Sequence, residues 1–235
     1  MHVQAKSKNQ QEISYLHKVR QNLIQQRIQR SNSLLTSLQE FGYVVTCGKA
    51  KFAKDCQYFI NMAFEEGFIS EVVYTQMLVY AREISHLIGR EKKLDQELGQ
   101  KNKLSFNAQI LETIPGIGPI NASILSNKSM LYYDSAKDFA SSLGLVPKQN
   151  TTGGVIRLGS ITKQGDRYAR TMLIQAARSI VMRSYKANVP TDIIYQFIER
   201  LKSNGKAFNV ICVSVANKLA RIAYACIYKK IVYTK

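Results

Sequence analysis

The sequence predicts a mainly α-helical protein: a long helical hairpin or coiled coil, then a compact helical domain with a helix-hairpin-helix and a short β-hairpin or loop. Three observations favour this class. All four prolines lie after residue 110. Long stretches of the first hundred residues have helical composition, and one of them carries an apolar heptad repeat. At 235 residues and 46% hydrophobic content, the chain is long enough for one large or two small cores.

The N-terminal helices carry the heptad pattern. A first helix is expected over Gln10–Phe41, with a weaker seam at Ile24, Ile28, Leu35 and Leu38 and polar Ser31 between them. A stronger seam, interrupted by Glu91, comprises Val73, Met77, Tyr80, Ile84, Leu87, Leu94 and Leu98. Packing within one chain and dimerisation between chains are both open uses of this seam. The heptads stop at a polar stretch, so residues 1–103 are predicted to form a coiled-coil linker or oligomerisation region and residues 104–235 a second domain.

The charge is concentrated in the second half of the chain. Lys and Arg number 33 against 16 Asp and Glu, a formal net charge of +17. Residues 1–110 carry 15 basic and 10 acidic side chains, and residues 111–235 carry 18 and 6. A net charge of +12 on the C-terminal half makes a polyanion such as nucleic acid the first expected partner.

Other classes receive little support from the composition. The four cysteines form no CxxC pair and histidines number three, which argues against a zinc site. The N-terminal residues lack the apolar core of a signal peptide, so a reducing, cytoplasmic location is expected. The most apolar stretch, Ala207–Ala216, is too short to span a bilayer, and no membrane partner is predicted.

The segment Leu111–Leu125 has the pattern of a helix-hairpin-helix. Gly116 and Gly118 permit a tight turn and close approach of the backbone to a ligand, and Ile117 is expected to fill the gap between the helices. Pro119 suits the first position of the second helix. Free N–H groups there can donate to a phosphate oxygen, which makes Gly116 and Gly118 candidate nucleic-acid contacts. A tight helical turn without a ligand is the alternative.

The next segment mixes hydroxyls, glycines and cations. A short helix ending near Gly144 is followed by a strand or hairpin at Val155–Leu158, and Asp166 can cap a further helix. That helix presents Arg167 and Arg170, with Arg178 expected two turns beyond Arg170 on the same face. We predict phosphate contacts at Arg157, Lys163, Arg167 and Arg170, because guanidinium and hydroxyl groups suit phosphodiester chemistry. A solvated basic helix is the alternative.

Six blocks in this order resemble the C-terminal domain of the pilin-invertase-like insertion-sequence transposases of the IS-one-ten type. The blocks are Ile114–Pro119, Leu143–Gln149, Thr152–Gly154, Arg157–Gly159, Ile161–Arg170 and Asn217–Ala223. The helical half is similar to the coiled-coil region of that family, with Leu16–Arg20 as a local marker. The resemblance implies DNA transposition by a bacterial, nucleoid-associated recombinase. It also implies guidance by a structured bridge RNA and work as a homo-oligomer or in a hetero-assembly with a full-length relative.

The same resemblance bears on catalysis. Its members pair an RNase H-like acidic domain, whose carboxylates hold divalent metal, with a hydroxyl nucleophile just before two glycines. Thr152, and then Thr151, match the nucleophile position as threonines where the family has serine. The sequence shows no carboxylate-rich motif, so no metal site is expected in this chain. Magnesium is expected only with the missing acidic domain, and the chain is expected to be a truncated, catalytically incomplete copy.

Two other classes of function stay open. The chain can be a non-enzymatic, regulatory helix-hairpin-helix protein that binds nucleic acid, since its basic half contains a backbone-binding hairpin. It can also be a helical oligomerisation protein that uses the heptad seam, with its basic charge incidental.

Overall fold

The computed structural model describes residues 6–45, 52–152, 155–186 and 192–234, leaving aside the side chains of residues 53, 151, 152, 155 and 156. The fold is mainly helical with a small two-stranded antiparallel sheet, which confirms the predicted class. The elements are α1 (Lys8–Glu40), α2 (Phe52–Glu65), α3 (Glu71–Lys103), α4 (Phe106–Glu112), α5 (Pro119–Ser126), a 3-10 helix (Met130–Tyr132), α6 (Ala136–Ser142), β1 (Pro147–Thr152), β2 (Val155–Ile161), α7 (Arg167–Arg183), α8 (Ile193–Ser203) and α9 (Phe208–Lys229). The chain divides into two compact units, Met1–Glu97 and Leu98–Lys235, and the division falls inside α3.

In the N-terminal unit, α1 and α3 form an antiparallel pair within one chain. Three ion pairs join them: Arg20 with Asp95 at 2.5 Å, Arg27 with Glu91 at 3.1 Å, and Arg30 with Glu83. The partner moves backwards along α3 as the arginine moves forwards along α1, as antiparallel helices require. The seam therefore packs inside the chain, and self-association stays a prediction.

The composition of this seam differs from the sequence expectation. Tyr80 is 39% exposed and its neighbour Ala81 is buried in its place. Ile28 is 45% exposed, because α1 turns His17, Arg20, Leu23, Ser31, Leu34 and Leu38 inward instead. The apolar core is concentrated where α1 and α3 meet α2, around Leu38, Ile60 and Ile84. Away from α2, buried leucines such as Leu23, Leu87 and Leu94 alternate with paired charges along the seam.

The C-terminal unit is built around α9. This helix packs against α4, α6, α7 and α8, and its buried side chains include Ile211, Val215, Leu219 and Ala223. By length and composition alone α9 is apolar enough to cross a membrane, yet 56% of its apolar window is buried inside the protein. The α9 helix is therefore a central part of the hydrophobic core of this unit.

The candidate nucleic-acid interface

The helix-hairpin-helix is formed by α4 and α5. Four apolar residues are all buried, as their spacing predicts: Leu111 in α4, Ile114 just after it, and Ala122 and Leu125 in α5. Ile117 is only 3% exposed and fills the space between the helices. The apolar positions therefore fix the crossing of α4 and α5, and they leave the two hairpin glycines to shape the turn.

The two hairpin glycines have different roles. Gly116 has a φ of +81°, and a Cβ there would lie 2.4 Å from Cδ1 of Ile180 in α7. Gly118 is the N-cap of α5 and has ordinary backbone angles, and no described atom lies within 4 Å of the position of its missing Cβ. Gly116 thus allows the hairpin to pack on α7, whereas Gly118 leaves the start of α5 open.

The N-terminus of α5 is suited to an anion. Pro119 occupies the first helical position and has no N–H, and among the described residues no side chain caps the helix. The N–H groups of Ile120 and Asn121 are the ones that a helix leaves without an intrahelical acceptor at this point. They can donate to a phosphate oxygen, and the helix dipole favours the negative charge.

Asn102 holds this helix start in place. Its side chain is 4% exposed, and its Nδ2 donates to the backbone oxygen of Pro119 at 2.7 Å and to Oε1 of Glu112 at 2.9 Å. Asn102 thereby joins the end of α3 to both helices of the motif. Sequence reasoning missed this residue, since nothing in a polar stretch before the motif indicates which amide will be buried.

Strands β1 and β2 form an arm next to the helical core of the unit. Their register pairs Thr152 with Val155, Thr151 with Ile156 and Asn150 with Arg157. The hydroxyl candidates Thr151 and Thr152 therefore end β1, although their side chains and the following glycines lie outside the described part of the chain. Arg157 is exposed and pairs across the sheet with Asn150, two residues before Thr152.

The start of α7 presents two of the predicted phosphate contacts. Lys163 is exposed with a φ of +57°, and its N–H donates to the backbone oxygen of Gly144 at 3.3 Å. Arg167 is the first residue of α7 and is exposed. Asp166 lies between them as the N-cap, with its Oδ1 accepting from the N–H of Ala169 at 2.9 Å.

Asp166 also forms an ion pair with Lys128, from the loop after α5. Burial alone would raise the pKa of Asp166, but the hydrogen bonds from Lys128 and from the Ala169 N–H outweigh it and hold the pKa below its ordinary value. The carboxylate is therefore charged at neutral pH and committed to the fold.

Arg170 has a structural role that the sequence did not predict. Arg170 is 7% exposed, and its Nη1 donates to the backbone oxygens of Leu143 at 2.9 Å and Gln164 at 3.2 Å. In this structure it joins the loop before β1 to the loop after β2 and does not face solvent. The expected shared face with Arg178 is also wrong, because Arg178 is exposed and shares its side of α7 with Arg167, eleven residues earlier.

Close backbone approach surrounds this arginine. A Cβ at Gly144 would lie 2.2 Å from the backbone oxygen of Gln164, and one at Gly165 would lie 1.9 Å from that of Ser142. Both glycines have positive φ, +68° and +85°. The two loops at the base of the β arm can pack this tightly only because neither position carries a side chain.

The predicted contacts do not form one cluster. The hairpin touches α7 at Ile180, whereas Lys163 and Arg167 lie at the beginning of that helix. At 1.5 Å per residue, thirteen residues of helix separate the two places by about 20 Å. The structure thus offers two separate basic or donor-rich places that an extended polyanion can contact together.

Among the described residues, no group of three or more His, Cys, Asp or Glu side chains is arranged to hold a metal ion. Asp166 is paired with Lys128, and Asp192 is buried as the N-cap of α8. The described residues therefore do not fit a magnesium site.

The structure is that of a mainly helical protein with a helix-hairpin-helix, in which the N-terminus of α5 is open to an anion. The family described as "Transposase IS116/IS110/IS902 family" matches residues 108–190, from α4 past the end of α7. The transposase for insertion sequence element IS1328 of Yersinia enterocolitica is 33% identical over 99% of this chain and 68% of its own length. A probable family 20 transposase of Pseudomonas aeruginosa is 32% identical over the same shares. The pilin gene-inverting protein of Moraxella lacunata is 29% identical over 61% of this chain and 45% of its own length. The chain belongs to the IS116/IS110/IS902 transposase family.

Proposed function

We propose that this protein acts on DNA as an insertion-sequence transposase or site-specific recombinase. The observation that carries the proposal is the open N-terminus of α5 at Gly118, held by Asn102 in a unit that belongs to this transposase family. The net charge of +12 over residues 111–235 supports it, because a polyanion is the partner that such a surface attracts.

The DNA backbone is held at two places in this proposal. The N–H groups of Ile120 and Asn121 donate to one phosphate, with Gly118 leaving room for its approach. Lys163 and Arg167 contact a phosphate about 20 Å further along α7. Arg157 lies on the β arm near the reacting strand. None of these contacts reads a base edge, so target choice comes from elsewhere, and a structured bridge RNA is the proposed source.

Thr152 is the proposed nucleophile, with Thr151 as the second candidate. Its hydroxyl oxygen forms a bond to a DNA phosphorus as the bond from that phosphorus to one deoxyribose oxygen breaks. The threonine proton passes to solvent or a base, and the leaving oxygen takes up a proton. Arg157 supplies positive charge beside the developing phosphorane.

Strand transfer also requires a metal-binding acidic domain in this proposal. Magnesium enters with that domain, which a full-length relative supplies in a hetero-assembly. In this proposal the chain binds DNA and supplies the hydroxyl, and it does not complete strand exchange without the acidic domain.

A strand-transfer assay tests this proposal. The protein is incubated with a labelled DNA junction, magnesium and the bridge RNA, with and without a full-length relative. Transfer is expected only with the relative, and robust recombination by this chain alone would refute the incompleteness. Thr152→Ala should abolish the covalent protein–DNA product in the mixed assembly, whereas Thr152→Ser should keep it. If Thr151→Ala, and not Thr152→Ala, abolishes the covalent product, Thr151 is the nucleophile.

A regulatory role is the second candidate function, supported by the net charge of +12 over residues 111–235, which contain the helix-hairpin-helix. A regulator is expected to bind DNA with the salt dependence of a protein that contacts several phosphates, and to inhibit strand transfer by a full-length relative in the mixed assay. A covalent product that depends on Thr152 excludes this role. Stimulation of transfer also excludes it.

A further inference from the structure

A surface formed by the end of α7, by α8 and by the start of α9 combines aromatic rings with cations. Tyr185 follows α7 and Phe208 begins α9, and their ring centroids are 6.4 Å apart with 40° between the ring planes. The two residues are 23 positions apart in the sequence, so only the fold brings them together. We call Tyr185, Phe208 and the cations around them the aromatic surface.

Cations hold both rings of the aromatic surface. Nζ of Lys202 lies 3.9 Å from the centroid of Tyr185, and the guanidinium carbon of Arg178 lies 5.4 Å from that of Phe208. Lys202 is itself fixed, because its Nζ donates to the backbone oxygen of Ser184 and to Oε1 of Glu199, both at 2.8 Å. The Tyr185 ring is therefore positioned before any ligand arrives.

The Tyr185 ring nevertheless remains open. The residue is 59% exposed, although a cation covers part of the ring. An exposed, oriented aromatic ring offers a flat surface on which another planar group can stack. Phe208, half-buried beside it, extends this surface towards Arg178.

The charge around the rings is positive. Arg183 and Lys186 flank Tyr185 in the sequence, Lys206 precedes Phe208, and all three are exposed. The acidic groups of α8 are already committed, since Glu199 accepts from Lys202 and Asp192 is buried as the helix N-cap. The ligand that complements this surface carries negative charge together with planar groups.

We propose that the aromatic surface binds single-stranded DNA, with an unpaired base stacked on Tyr185 and the adjoining phosphates contacted by Arg178 and Lys206. In a duplex the base faces are covered by their neighbours, so only an unpaired strand can offer one to the ring. The inference rests on the proposed function, because strand transfer exposes unpaired DNA. It adds a contact to the strand that the helix-hairpin-helix, a backbone binder, does not make.

Fluorescence anisotropy with labelled oligonucleotides tests the proposal on the full chain. Tyr185→Ala should weaken binding of a mixed-sequence single strand about tenfold, the effect of losing one stacked base. Tyr185→Phe keeps the ring and should stay within about twofold of the unchanged protein. Duplex affinity should not change in either variant. Tyr132→Ala is the matched control, since Tyr132 is 57% exposed in the same unit.

The salt dependence separates stacking from charge. Tyr185→Ala should leave the slope of log K against log salt unchanged, whereas Lys206→Gln should reduce it by about 0.7 for a single strand. Photocrosslinking with an iodouracil-containing strand gives a readout that needs no variant, and the crosslinked peptide should contain Tyr185.

Three results would overturn the proposal: unchanged single-strand affinity in Tyr185→Ala, an equal loss for duplex and single strand, or a loss confined to an RNA strand. In each of these cases DNA binding by the unchanged protein leaves the proposed function standing. If the unchanged protein binds neither duplex nor single strand at low salt, the proposed function fails too.

Discussion

Nε of Arg27 lies 3.1 Å from Oε2 of Glu91, an ion pair between residues 64 positions apart. Glu91 is the residue that interrupts the heptad seam of α3, and it is 4% exposed. A charge at a seam position is tolerated because its partner comes from the facing helix of the same chain. Such a pair favours this alignment of α1 against α3, since a shift would separate the buried Glu91 from the half-buried Arg27.

Removing one partner of this pair should destabilise the N-terminal unit. We expect Glu91→Ala to lower the free energy of unfolding by about 2 kcal/mol, because the half-buried Arg27 loses this counter-charge. Glu83→Ala is the matched control: the Arg30–Glu83 pair is 40% and 43% exposed, so its loss should cost less than about 1 kcal/mol. Urea unfolding measures both, and equal effects would refute the argument. The double variant Arg27→Leu/Glu91→Leu should recover most of the loss.

The hairpin glycines provide a second matched pair. Gly116→Ala should destabilise the C-terminal unit by about 2 kcal/mol, because it combines a positive φ with a clash against Ile180. Gly118→Ala should cost less than about 1 kcal/mol, the effect of a poorer N-cap. Gly118→Ala should still weaken DNA binding, because its methyl group would occupy the open space through which the proposed phosphate reaches α5. Thermal unfolding and anisotropy separate the effects, and a Gly118→Ala protein with unchanged DNA affinity contradicts the proposed phosphate site.

Two arginines three positions apart should respond differently to the same substitution. Arg170→Gln should lower the free energy of unfolding by about 2 kcal/mol, because the carbonyls of Leu143 and Gln164 lose a charged donor. Arg167→Gln should leave stability within about 0.5 kcal/mol and reduce the salt slope for duplex DNA by about 0.9. Urea unfolding of both variants measures their stability, and DNA binding at several salt concentrations measures the salt slope. A stable Arg170→Gln protein with a reduced slope would restore Arg170 as a phosphate contact.

The Asp166–Lys128 pair predicts a pH dependence. A carboxylate with a lowered pKa in the folded state adds stability above its ordinary pKa, and this contribution is lost as the pH falls through the folded pKa. Lys128→Met removes the strongest group that lowers the pKa. We expect the variant to be less stable than the unchanged protein at pH 6, with the difference shrinking below about pH 4. Thermal melts across this range test it, and a pH-independent difference would assign the effect to packing.

The local motifs of this protein could be predicted from the sequence, and the long-range polar contacts could not. The helix-hairpin-helix is a short pattern whose apolar spacing and glycines are all within fifteen residues, so Ile117 and Gly116 were placed correctly. The α7 cap at Asp166 is equally local. The sequence predicts a phosphate contact at Arg170 and does not show its burial, because that burial depends on a carbonyl 27 residues earlier.

The aromatic surface and the seam show the same limit. Tyr185 and Phe208 meet through the packing of α7 and α9, and no periodic pattern links them. In the sequence Glu91 interrupts the apolar heptad seam of α3, because its partner Arg27 lies on a different helix. A sequence shows which side chains carry charge, whereas the neighbours of each charge are set by the tertiary fold.

The chain enters and leaves the β arm through the same narrow base. Gly144 and Gly165 bring the two flanking loops into backbone contact, Arg170 joins them, and the Lys163 N–H donates to the Gly144 oxygen. These contacts hold the two ends of the arm next to each other independently of the residues in β1 and β2. The arm is therefore a segment that can be exchanged. Evolution or an engineer can lengthen, shorten or replace the segment that carries Thr152 while the helical core keeps its packing.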